Sequence, residues 1–227
     1  MSFVQNFPFF SIILCLLCAV TTFVAGDKWG RRLTIGLLCV STVLQSCVLW
    51  FCVSNNTSYS YMMGHFPAPW GNEIAAGVIE PLMALLFSVV MLLSVLGGMD
   101  RILKDIPDKR RHLYWSMVDL TLVSLLALSY TNDIFTGYVF IEICTIASCA
   151  LLSAKSTGRA LIASARYMVF ALVGSGLFLI GVIYTYSITG HLLFPQLHDT
   201  IAALWAEGTY QFSMTDGLVH LLRKEAD

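Results

Sequence analysis

Glu142 lies near the middle of an otherwise apolar run, Ile134 to Ala154, where a carboxyl group could take up and release a proton. At the centre of a bilayer an acidic side chain costs roughly 3 kcal/mol, and residues that carry such a cost usually mark ion or proton paths. Three more ionisable groups, Glu80, Asp119 and Arg166, fall inside apolar stretches and complete a candidate ion-translocation set. Burial favours a protonated carboxyl and a nearby cation favours the ionised one. A glutamate whose cation approaches and withdraws would therefore load and release a proton.

These groups need a membrane around them, and the composition provides for one. Of 227 residues, 57% are hydrophobic and 12% charged, with a mean hydropathy of +0.76, whereas soluble domains carry about 25% charged residues. Windows long enough to span a hydrocarbon core of about 30 Å fall at Phe7 to Ala25, Leu33 to Val53, Ile74 to Leu96, Leu113 to Thr131, Ile134 to Ala154 and Ser164 to Ile188. The fold class expected is an all-α integral membrane protein with six transmembrane helices and a short amphipathic C-terminal tail. The division expected is a six-helix domain over residues 1–190 and a surface tail over 191–227. Before the first window no Lys or Arg occurs, so it lacks the charged region of a signal peptide and reads as a span.

Orientation follows from the basic residues. Lys28, Arg31 and Arg32 come after the first window, Arg101, Lys104, Lys109, Arg110 and Arg111 after the third, and Lys155 and Arg159 after the fifth. All these connections share one side, which the positive-inside rule makes the cytoplasm. The N-terminus is then outside, and the chain is a multi-pass protein of the cytoplasmic membrane. The connection Ser54 to Glu73 holds no Lys or Arg, and its turn formers and aromatic residues suggest a small extended or hairpin element at the outer surface.

At a rise of about 1.5 Å per residue, Glu142 sits roughly 12 Å below the outer end of its helix, while Arg166 and Asp119 each sit roughly 9 Å above the inner ends of theirs. Buried charges are normally paired, so Arg166 is expected to reach Asp119 or Glu142, and spacing alone leaves both open. Glu80, followed by Pro81, is shallow enough to meet headgroups or water.

Other chemistry finds little support. Cys15-Leu16-Leu17-Cys18 has redox or zinc spacing but lies in an apolar helix without a second ligand pair, and the other cysteines read as packing residues. The five histidines are expected in loops or the tail, without His-x-x-x-His spacing. No phosphate loop, dinucleotide fingerprint or Ser-His-Asp set is visible, so no self-contained active site, cofactor or metal is expected. A net charge of -1 argues against nucleic acid, leaving the lipid bilayer and other membrane subunits as partners.

The segment Tyr130-Thr131-Asn132-Asp133-Ile134-Phe135-Thr136-Gly137-Tyr138-Val139-Phe140-Ile141-Glu142 resembles the helix four to helix five region of antiporter-like subunits (MrpD and NuoN type) of respiratory complex I, membrane-bound hydrogenases and Mrp cation/proton antiporters. Here Asn132 stands for the usual glycine, and Ile141 separates Phe140 from Glu142. Gly64-His65-Phe66-Pro67-Ala68-Pro69-Trp70-Gly71 is similar to the family's loop before helix three, and Ala165-Arg166-Tyr167 with Gly174 to Gly181 to its helix six. The resemblance runs from about Phe7 to Leu192.

By that resemblance Glu142 is the helix-five glutamate of an ion path, Arg166 stands where members often have lysine or arginine, and Glu80 where they commonly have aspartate. Asp119 has no clear counterpart. The family's glutamate works with a lysine on helix seven, a helix beyond these six. The resemblance thus implies a proton or sodium/proton translocating subunit that keeps company with other antiporter-like and small membrane subunits, the lysine coming from another chain. The contrasting expectation is a structural or accessory subunit, split or truncated, without transport of its own. In either case any redox cofactor would belong to other subunits.

Overall fold

In the computed structural model, residues 3–62, 73–155 and 157–206 are described. The loop motif Gly64 to Gly71 and the tail from residue 207 onward lie outside them. Six helices are long and apolar enough to cross a membrane: α1 (Phe7–Ala25), α2 (Asp27–Asn55), α3 (Ile79–Asp105), α4 (Asp108–Tyr130), α5 (Ile134–Ser153) and α6 (Gly158–Thr189). A seventh, shorter helix, α7 (Phe194–Ala206), follows. Six spans were expected and six are present, with several ends displaced.

The displacements have local causes. Asp27 occupies the first turn of α2, where a carboxylate meets the positive end of the helix dipole, so the helix takes in Lys28, Arg31 and Arg32 instead of starting at Leu33. Span three begins at Ile79 and not at Ile74, because Glu73–Ala76 (β2) pairs antiparallel with Tyr59–Met62 (β1). That pairing is the hairpin expected between spans two and three. Pro81 in the first turn of α3 loses no helical hydrogen bond there. Helix α2 stops at Asn56, a left-handed cap with φ of 47°, a conformation asparagine tolerates better than most residues. Helix α6 stops at Gly190, with φ of 69°.

Helix α4 is the pivot. It packs against α1, α5, α3 and α2, and α6 reaches the bundle through α5. In α4, 56% of the most apolar stretch is buried, against 17% in α5 and 11% in α6. The core around α4 includes Leu37, Leu38, Ala84, Trp115, Leu122, Leu126 and Tyr130, while large apolar side chains such as Phe170 on α6 and Trp50 on α2 point outward.

Both ends of the bundle are tied. At the basic end, the Lys155 ammonium meets Asp105 at 2.8 Å, joining the α5–α6 turn to α3, and Arg111 approaches Asp27 at 3.7 Å, joining α4 to the α1–α2 turn. Arg111 also donates to the Ile106 carbonyl at 3.0 Å and to the Leu103 carbonyl. At the other end, the turn Thr131–Asp133 is clasped between β2 and the segment after α6. Asn132 donates its N–H to the Glu73 carbonyl, Phe194 to the Asn132 carbonyl and Ile134 to the Leu192 carbonyl, at 2.9–3.1 Å. Asp133 caps α5 by accepting the Thr136 N–H at 2.8 Å.

Candidate functional site

The four expected site residues occupy separate places. Glu142 projects from the third turn of α5 and is half-buried. Tyr138, one turn nearer the capped end of α5, interacts with the Glu142 side chain and stacks on Phe178 of α6, with ring centroids 6.2 Å apart at 20°. Such a ring pair adds about 0.5–1.5 kcal/mol beyond its area. It fixes the phenol beside the carboxyl while the rest of the α5 face stays open. Sequence reasoning passed over Tyr138 and Phe178, although Tyr138 precedes Glu142 by the four residues that put two side chains on one helix face.

Arg166 lies on the exposed side of α6. No ion pair joins it to Asp119 or Glu142 among the described residues. The expected pairing fails for a geometric reason: equal depth in the membrane does not make helices neighbours, and α6 packs on α5, not α4. Glu80 turns back on its own helix start and accepts the Gly77 N–H at 2.7 Å. That bond ties the helix start to the turn that precedes its N-cap, Val78.

Asp119 is fully buried at the junction of α1, α2 and α4. Its Oδ2 lies 3.1 Å, hydrogen-bond distance, from the hydroxyls of Thr22 of α1 and Thr34 of α2. It is one link in a seam of separate polar contacts spaced along these helices. Toward the basic end, Ser116 donates to the Ala19 carbonyl at 2.7 Å and the Trp115 indole N–H to Asp27 at 3.0 Å. Toward the other end, the Tyr130 hydroxyl donates to the Gln45 amide oxygen, and the Gln45 amide nitrogen to Ser11 at 3.0 Å. Ser41 and Ser88 join α2 to α3 at 3.1 Å. Gln45, Thr22 and Thr34 were readable as polar residues in apolar windows. Only their azimuths, which a sequence does not give, show that they meet.

Between helices in lipid the usual hydrophobic drive is absent, and packing plus hydrogen bonds hold them, at about 0.6 to 2 kcal/mol per bond. Tyr130→Phe should therefore destabilise the α1–α2–α4 unit by about 0.6 to 2 kcal/mol, read as a lower midpoint in thermal unfolding of the detergent-purified protein. An unchanged midpoint would show that the Gln45 contact contributes nothing. One histidine departs from the expected loops and tail: His112 stands in the second turn of α4.

Residues 131–222 match the family described as NADH:quinone oxidoreductase/Mrp antiporter, transmembrane. The chain is 30% identical over 200 residues to a Na(+)/H(+) antiporter subunit of Bacillus subtilis (strain 168), covering 87% of this chain and 40% of that protein. It is also 30% identical over 157 residues to a subunit of the NADH-quinone oxidoreductase of Desulforudis audaxviator, covering 65% of this chain and 30% of that protein. Among solved structures, it superposes on a chain of an archaeal respiratory membrane complex, the membrane-bound sulfane sulfur reductase. The TM-score is 0.75 at 27% identity, over 84% of this chain and 39% of that one. A chain of the Mrp complex from Dietzia sp. DQ12-45-1b shares the fold, with a TM-score of 0.76 at 20% identity, over 87% of this chain and 37% of that one. The chain spans about two fifths of the length of its Bacillus subtilis relative. The resemblance to antiporter-like membrane subunits drawn from residues 130–142 is thus borne out, and the chain is a multi-pass membrane protein related to them.

Proposed function

We propose that this relative of the antiporter-like subunits is an ion-translocating membrane subunit of a multisubunit antiporter or respiratory complex in the cytoplasmic membrane, with Glu142 as the proton-exchanging group. The observation that carries the reading is the setting of Glu142. It is a half-buried carboxyl in the middle of a spanning helix, one helical turn from Tyr138 and without an ion-pair partner among the described residues. The kinship to a Na(+)/H(+) antiporter subunit supports it.

The cation that completes the exchange comes from outside these 227 residues and docks on the open faces of α5 and α6. A lysine there would draw the proton off Glu142 as it approaches and let it reload as it withdraws. Arg166, on the exposed side of α6, faces the same neighbour and serves the path from there. Glu80 keeps a place near the mouth of the path at the start of α3.

The direct test is ion flux in Glu142→Gln. Extraction through a tag on this chain with mass spectrometry of its companions checks the partner claim. A lysine-bearing antiporter-like segment should co-purify, and recovery of this chain free of any such segment would remove the claim.

A further inference from the structure

We propose that Asp119 is a proton-binding site separate from Glu142, occupied at neutral pH, in which the neutral carboxylic acid pins α1, α2 and α4 together. The Thr22 hydroxyl stands 3.0 Å from the Ala19 carbonyl oxygen and 3.1 Å from Asp119 Oδ2, and it has one proton to give. Serine and threonine in helices habitually donate to a carbonyl of the preceding turn. If Thr22 does so, the contact with Oδ2 needs its proton from the acid. The chain is then Oδ2–H to Thr22 Oγ1, and Thr22 O–H to the Ala19 carbonyl, with Thr34 donating to Oδ2.

The other oxygen favours the same state. Oδ1 is buried and has no hydrogen-bond partner, and the whole residue is 0% exposed. An ionised carboxylate would leave Oδ1 without a hydrogen-bond partner, with only the weak thiol donor of Cys18 beside the group. A neutral acid leaves there only a carbonyl oxygen, and an unpartnered neutral group is far less costly than an unpaired buried charge. Among the described residues no cation offsets the charge: the titratable groups that face Asp119 are the thiols of Cys15 and Cys18 on α1. On α2 the facing group is the Thr34 hydroxyl, and on α4 itself Arg111 stands eight residues, about 12 Å, nearer the basic end.

The site lies at the middle of α4, eleven residues from either end. Over the roughly 16 Å of helix between Asp119 and the Tyr130–Gln45 pair, the core includes buried Leu38, Leu122 and Leu126, and among the described residues no hydrogen bond joins Asp119 to that pair. Toward the basic end, the Trp115–Asp27–Arg111 cluster begins about one helical turn away. Proton exchange runs through that end, and Asp119 stands off the Glu142 path.

Infrared difference spectroscopy of the complex in native membranes, with wild-type chain carrying 13C-carboxyl aspartate, tests the assignment. The expected result at neutral pH is a protonated-acid carbonyl band that shifts with the aspartate label, persists in Glu142→Gln and is lost in Asp119→Asn. Absence of any label-sensitive acid carbonyl in the wild-type chain would overturn the proposal, whether or not Asp119→Asn accumulates. So would a band that Asp119→Asn leaves in place.

Discussion

Replacing Glu142 with glutamine is expected to abolish ion flux while the subunit still assembles with its companions. Glutamine keeps the size and the hydrogen-bonding reach of the side chain but cannot take up a proton, so it removes the titration and little else. Packing gives no reason for assembly to fail. The Glu142 side chain makes no ion pair among the described residues, the ring stack of Tyr138 on Phe178 does not include it, and its backbone carbonyl still accepts from Thr145. Removing the charge also lifts an insertion cost of roughly 3 kcal/mol at the bilayer centre. The measurement is ion-driven pH change in inverted vesicles, paired with co-purification of the companion subunits. Flux at the wild-type level with Glu142→Gln would sink the transport reading and leave a subunit that seals or anchors the complex.

Glu142 was legible because depth along a helix follows from counting residues, and eight residues past Ile134 put the carboxyl well inside the span. The short connection at Asn132 and Asp133 and the hairpin between spans two and three were legible for a similar reason: turn formers act locally. What counting does not give is which helices touch. Asp119 and Arg166 share a depth on paper, yet one is enclosed by α1 and α2 and the other stands on the exposed side of α6. Helix ends were also set by interactions outside the apolar windows. Asp27 draws α2 back over three basic residues, and β2 takes Ile74 out of α3. The seam of Thr22, Thr34, Gln45 and Tyr130 shows the same limit, since each residue is visible alone and its partner lies 85 or 97 positions away.

Trp115→Ala should be the most destabilising single change in the bundle, at about 3–5 kcal/mol, the range for truncating a large buried aromatic side chain. Trp115 is 0% exposed, sits on the pivot helix, and meets Tyr114 edge-on at 5.3 Å. Its indole N–H reaches Asp27, which Arg111 also approaches, so truncation both opens a cavity and takes one donor from a partly buried carboxylate. Gly30 of α2 lies against the same ring, and a Cβ there would stand 3.7 Å from it, so α1, α2 and α4 converge where the side chain would vanish. Thermal unfolding of the detergent-purified protein separates the two contributions. Trp115→Phe keeps most of the volume and loses the N–H, and it should cost less than half as much as the alanine variant. Equal losses would assign the effect to the hydrogen bond with Asp27 rather than to packing. Wild-type stability in both variants would show that the α1–α2–α4 junction does not hold the bundle together.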